Sequence, residues 1–183
     1  IKIPKGQFYA TDNEQLKITR NNVFIEGAGQ DKTIIDCGNY SCSGQGGILI
    51  ASEHVYISDL TVLSSANPDN KGNVAAIKAT DLSSPSKILN DIYIERVTVS
   101  SEFGHGLNLH GTDSTVDGLT VKNAGKCGIS LANTSAIVRN TSIKDTVWGD
   151  IGMMYADTDD YKNPVKLLLQ ENNNIDLIYS ERT

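Results

Sequence analysis

At 183 residues, with 39% hydrophobic and 21% charged residues, the chain has the size and composition of one globular domain, residues 1–183, rather than a disordered or fibrous segment. A formal net charge of −6 argues against nucleic acid or an anionic membrane surface as the main partner. Apolar runs such as Gly47–Ala51 are far too short to span a bilayer, so membrane insertion is not expected.

The sequence starts at Ile1, with no initiator Met and no signal-peptide pattern. It therefore reads as a processed chain or as a fragment of a larger protein. The cysteines are Cys37, Cys42 and Cys127. The first two are close enough for a local disulfide, which would suit an extracellular setting. Free thiols in core or turn positions are the alternative. Without a CxxC pair, zinc is not expected.

Val23, Ile25, Ile34 and Ile35 mark a first coil. Between them, Gly27-Ala28-Gly29 predicts a turn that uses glycine's positive φ. It is not a nucleotide loop, because it lacks the G-x-G-x-x-G spacing and no helix pattern follows. Gly47-Ile48-Leu49-Ile50 is the next strand. Val55, Ile57, Leu60 and Val62 return as Ile92, Ile94, Val97 and Val99. Two polar excursions, Ser64 to Asn73 and Asp81 to Asn90, predict loops pushed outward.

From Gly106 a period of 22 residues sets in. Gly106-Leu107-Asn108-Leu109-His110 returns as Gly128-Ile129-Ser130-Leu131-Ala132 and as Asp150-Ile151-Gly152-Met153-Met154. Val116, Leu119 and Val121 become Val138, Thr141 and Ile143. A unit this short cannot fold alone and carries strands rather than a helix. Stacked units bury a continuous core, which predicts a parallel β-solenoid of about six or seven coils. Pro164 to Tyr179 loses the phase and predicts an irregular final coil or a cap over an exposed strand edge.

Period-2 alternation points Leu107, Leu109, Ile129, Leu131, Ile151 and Met153 inward, and Asn108, His110, Ser130, Ala132, Gly152 and Met154 outward. Aligning Val74–Asp81 with Gly106–Asp113 sets Lys78 directly beside His110, and Asp81 beside Asp113. A Lys and a His side by side could neutralise a carboxylate and move a proton, the lysine's pKa falling beside a protonated His. A solvated Lys and a surface His are the plainer alternative. A further outward ladder, Thr61, Thr98, Thr120, Ser142, reads as a structural stack.

The opening Ile3-Pro4-Lys5-Gly6-Gln7-Phe8-Tyr9, the segment Asn22 to Asp36 and the coils after it resemble the right-handed parallel β-helix, or pectate-lyase-like, superfamily over most of residues 1–155. The resemblance implies an all-β, single-stranded right-handed parallel β-helix. It also implies an extracellular or cell-surface location, and a polysaccharide or surface glycan as partner, held in a groove along one outward face. It is specific for fold and not for activity, since lyases, hydrolases, epimerases, tailspikes and adhesins share the architecture. The first expectation is a carbohydrate-binding or adhesive module. The second is a lyase or epimerase acting on acidic glycans, and the third is a structural spacer.

On that expectation Lys78 and His110 are the candidate catalytic pair, with Asn108 and Ser130 as substrate-binding neighbours. His105 joins them because Gly104-His105-Gly106 resembles a motif of polygalacturonase-type hydrolases. The remainder of that signature is absent, and the inward parity of His105 favours a corner histidine bonded to neighbouring backbone. Asp81 and Asp113, at strand ends, are candidates for sugar or cation binding, for general acid and base, or for capping turns. Asp157, Asp159 and Asp160 are the candidate calcium ligands. Asn39, Asn133 and Asn140 begin glycosylation sequons, a triplet that polar turns also produce by chance.

Overall fold

The computed structural model describes residues 1–10, 16–38, 46–65, 74–84, 86–156, 165–172 and 175–182. All secondary structure among them is β. The strands are β1 (Gly6–Tyr9), β2 (Leu16–Ile18), β3 (Val23–Glu26), β4 (Thr33–Asp36), β5 (Gly46–Ile50) and β6 (Val55–Ser64). They continue as β7 (Ala75–Ala79), β8 (Leu89–Ser101), β9 (His105–His110), β10 (Thr112–Asp117), β11 (Thr120–Ala124) and β12 (Cys127–Ala132). The last are β13 (Ser135–Arg139), β14 (Ser142–Ile143), β15 (Gly149–Ala156), β16 (Lys166–Gln170) and β17 (Leu177–Arg182).

The strands form two sheets, and every pairing within them is parallel. The first runs β1-β4-β6-β8-β10-β13-β16, with β3 beside β6, and β11 between β8 and β14. The second runs β2-β5-β7-β9-β12-β15-β17. The chain therefore crosses between sheets again and again, and each return lays a strand beside the one before. This arrangement is compatible with a β-solenoid.

The core lies between the sheets. In the second sheet Ile48, Ile77, Leu107, Ile129 and Ile151 stack in successive strands. In the first, Val55, Ile57, Leu60 and Val62 pair with Ile92, Ile94, Val97 and Val99, as their spacing predicts. All these side chains are fully buried. Burying a Val, Leu or Ile contributes roughly 1.5–3 kcal/mol each, which is what holds coils with so few turns of local structure.

The first sheet bends along one column. Asp59, Arg96, Gly118, Asn140 and Glu171 stand at equivalent places and have φ of 58°, 49°, 69°, 52° and 52°. An L residue in this left-handed region costs roughly 1–2 kcal/mol, so the corner is held by its surroundings. Arg96 bonds Asp59 twice, Arg96 also meets Glu95, and Arg139 Nε and Asn140 Nδ2 both donate to Asp117 at 2.8 Å. Gly27 is required by close approach instead: a Cβ there would lie 2.2 Å from the Asp59 carbonyl oxygen. The Gly27-Ala28-Gly29 turn does use a positive φ, at Gly29 (138°).

Three sequence expectations are corrected. Lys78 pairs with Asn108 and Ile77 with Leu107, so the β7–β9 register differs by two residues from the one that put Lys78 beside His110. Asp81 and Asp113 are consequently not neighbours; Asp113 stands in β10, in register with Ser135. After Pro164 the described residues do not lose the phase: β16 continues the register of β13, and β17 that of β15. The Thr61-Thr98-Thr120-Ser142 ladder is in register throughout.

Candidate functional site

Lys78 sits between Ile77 and Ala79, which face the core, so its side chain leaves the second sheet on the outer face. It is not solvated there, being only 7% exposed. Its in-register neighbours on that face are Leu49 on one side and Asn108 on the other, followed by Ser130 and Gly152. Asn108 and Ser130 are also buried. Three adjacent strands, about 4.8 Å apart, thus present an ammonium, an amide and a hydroxyl in one row. No hydrogen bond or ion pair engages these three side chains among the described residues. None of their polar heads is fully enclosed without a partner, so the row is held close beneath the surface rather than sealed in the core.

Burial pushes the Lys78 pKa down to about 8, and the nearby Lys126 cation pushes in the same direction. The lowering does not come from a protonated histidine. His110 is half-buried and pairs with Ala132, which makes it a diagonal neighbour of Lys78. Its own pKa falls to about 4, from burial first and Lys78 second. At neutral pH the row therefore holds a mostly protonated lysine, which gives up its proton more readily than an ordinary lysine, beside a neutral imidazole.

His105 is the corner histidine expected from its parity. It is 1% exposed, and its Nδ1 accepts the backbone N–H of Cys127 at 3.3 Å. That bond leaves the proton on Nε2, which is buried without a hydrogen-bond partner among the described residues. Burial, then Lys126, lowers its pKa to about 4. Its ring meets Trp148 edge-on at 6.0 Å between centroids, and Lys126 Nζ lies 5.3 Å over the same indole.

Lys126 and Trp148 were not singled out from sequence. The signal was there: Cys127 pairs with Gly149, so the residues just before them, Lys126 and Trp148, must adjoin. Gly152 also serves the row, since a Cβ on it would lie 2.6 Å from Cys127 Sγ.

The carboxylate candidates stand elsewhere. Asp81 Oδ1 accepts the Ser83 and Ser84 backbone N–H groups and the Ser83 hydroxyl, and Lys87 Nζ is 2.9 Å from Oδ2. These bonds, the Ser83 hydroxyl first, hold its carboxyl far below the usual range. Asp81 is thus the cap of its loop. Asp113 is exposed and lines a cleft of about 270 Å³ with Asn90, Asn133 and Lys166. Asp157, Asp159 and Asp160 lie outside the described residues, as does Cys42, a candidate partner of Cys37. Among the described residues no group of three or more His, Cys, Asp or Glu is placed to hold a metal ion. Cys127 is a buried free thiol. Of the sequons, Asn133 is 2% exposed, Asn140 is exposed, and Asn39 lies outside the described residues.

Comparison of the chain with protein-family models, with curated proteins and with solved structures returned no significant match. No helix among the described residues is long and apolar enough to cross a membrane.

Proposed function

We propose that the chain is a single right-handed parallel β-helix of about six or seven coils, of the pectate-lyase-like kind, acting at or outside the cell surface as a carbohydrate-binding, adhesive module. The two parallel sheets and their alternating strand order support the architecture. One observation carries the function: Lys78, Asn108 and Ser130 stand in one row on the outer face of the second sheet, largely buried and with no hydrogen bond or ion pair to their side chains among the described residues. A lysine there answers a carboxylate, and an amide and a hydroxyl answer sugar hydroxyls. The ligand is accordingly an acidic saccharide, with Trp148 and Lys126 at the rim of the row.

A second reading rests on the same lysine. With a pKa near 8, Lys78 can take the proton α to a uronate carboxylate. In a lyase the electron pair then forms the ring double bond as the glycosidic oxygen leaves and is protonated. In an epimerase a proton returns to the opposite face.

The deciding experiment incubates the purified chain with polygalacturonate, alginate and a glycosaminoglycan, with and without calcium. Retention, ultraviolet absorbance of an unsaturated product and NMR of the sugar are read together. Retention that drops at least tenfold in Lys78→Met supports the module. Turnover lost in Lys78→Met converts it to an enzyme. Neither retention nor turnover leaves a structural spacer and sinks both readings.

A further inference from the structure

The outer face of the first sheet carries a different feature. Phe24, Tyr56, Tyr93, Thr115, Ile137 and Leu168 occupy one row, each in register with the next across six strands. Their neighbours along each strand, such as Ile25, Ile57 and Ile94, point into the core. The row therefore faces outward: Phe24 is 61% exposed, Tyr93 44% and Leu168 50%, with Tyr56 and Thr115 half-buried between them. The three rings stand in file, with centroids 6.1 and 6.2 Å apart and each step tilted by 33°. A shallow cleft of about 310 Å³ opens beside them, bounded by His54 and Asp91.

We propose that this file is a second glycan platform, distinct from the Lys78 row, which takes a neutral linear saccharide laid across the strands. The C–H faces of successive sugar rings rest on Phe24, Tyr56 and Tyr93, whose ring faces carry partial negative charge. Three observations select this occupant. The apolar strip is one residue wide, which matches a single chain. A stable protein partner needs about 800 Å² on each side and a two-dimensional apolar centre, which a strip of this width does not offer.

The flanking residues provide hydrogen-bonding groups, most of them held in charge pairs. Asp91 is held by His54 Nδ1 at 2.8 Å, Glu95 by Arg96, Asp117 by Arg139 at 2.8 Å, and Glu26 by Lys2 at 3.5 Å. Each pair sits beside the file, within reach of a ligand's hydroxyls; with the exposed Asp113 and Lys166 counted as well, carboxylates outnumber cations along the flank, which disfavours an acidic sugar. The His54–Asp91 pair closes the cleft at the level of Tyr56 and Tyr93, so it is placed to bond a hydroxyl of a sugar stacked on those rings.

Affinity electrophoresis tests the platform, with hydroxyethylcellulose, mannan and arabinoxylan cast separately into native gels. At least one of them should retard the wild-type chain. Tyr56→Ala and Tyr93→Ala should each weaken the retardation at least tenfold, while Lys78→Met leaves it unchanged. Melting curves confirm folding, and Tyr93→Thr, the residue type this row holds next, replaces Tyr93→Ala if the latter fails to fold. Three results would overturn the platform. The wild type could pass all three gels unretarded. Retardation could survive the combined aromatic substitutions. The substitutions could instead convert a dimer to a monomer in size-exclusion chromatography, which makes the file an interface with a second copy. Because these probes are uncharged, failure here leaves the acidic-saccharide reading of the Lys78 row standing, and the reverse also holds.

Discussion

The Arg96 guanidinium grips the Asp59 carboxylate twice, Nε to Oδ1 and a terminal nitrogen to Oδ2, both at 2.8 Å, while both residues hold left-handed backbone. The Arg96 cation holds the Asp59 carboxyl below its ordinary value. The pair spans the corner where the first sheet bends, so side-chain chemistry offsets a backbone conformation that neither residue prefers. Arg96 is half exposed, and an exposed pair of this kind contributes about 0.2–1 kcal/mol.

Arg96→Ala and Arg96→Gly separate the two effects. Both lose the ion pair, but only alanine keeps the Cβ penalty at φ 49°. Arg96→Ala should be less stable than Arg96→Gly by about 1 kcal/mol in urea unfolding. Equal midpoints would show that the corner is unstrained.

Gly27→Ala should destabilise the chain by about 2–4 kcal/mol, because the new Cβ would meet the Asp59 carbonyl oxygen at 2.2 Å and backbone cannot give way cheaply. Ala28→Gly, one residue on, serves as the control and should cost less than about 1 kcal/mol. Thermal unfolding of both variants checks the order.

Cys127 and Gly152 should be energetically coupled. Gly152→Ala alone drives its Cβ to 2.6 Å from the Cys127 sulfur, whereas Cys127→Ala removes that sulfur. The double variant should recover at least about 1 kcal/mol of what Gly152→Ala loses, measured as a double-mutant cycle. Additive losses would place the strain elsewhere.

Stability should depend on pH through Lys78. Its pKa is about 8 in the folded chain against the ordinary 10.5, so between these values the unfolded chain binds the extra proton. Stability from this group therefore rises with pH from about 8 to 10.5, and the cost is fully present below that window. His105 acts likewise lower down: with a folded pKa of about 4 against 6.5, it favours the folded chain as pH rises from 4 to 6.5. Lys78→Met should flatten the upper slope and stabilise the chain at pH 7. Urea midpoints at a series of pH values read both effects, and an unchanged upper slope in Lys78→Met would show Lys78 to be solvated.

Part of the site was legible before any coordinates. The parity of Lys78, Asn108 and Ser130 put them on one outward face, and that of His105 put it at a corner with Cys127 one strand later. The pairing of Lys78 was not legible, because a slip of two residues preserves every inward and outward assignment. The loop from Asp81 to Asn90 hid the true offset. The aromatic file was equally hidden: Phe24, Tyr56 and Tyr93 are spaced unevenly in the chain, and only in-register strands bring them to about 6 Å.

By itself the sequence determined that this chain is built from short strands, which side chains face inward, and that successive segments stack. Those properties follow from local alternation and from a repeat too short to bury its own apolar face. Tertiary structure alone decided which outward residues adjoin, that the Lys78 row is buried while the Phe24 row faces solvent, and that Lys78, His105 and His110 lose their charge readily. Register and desolvation depend on strands far apart in the chain, and no local pattern encodes what covers a side chain once those strands have packed.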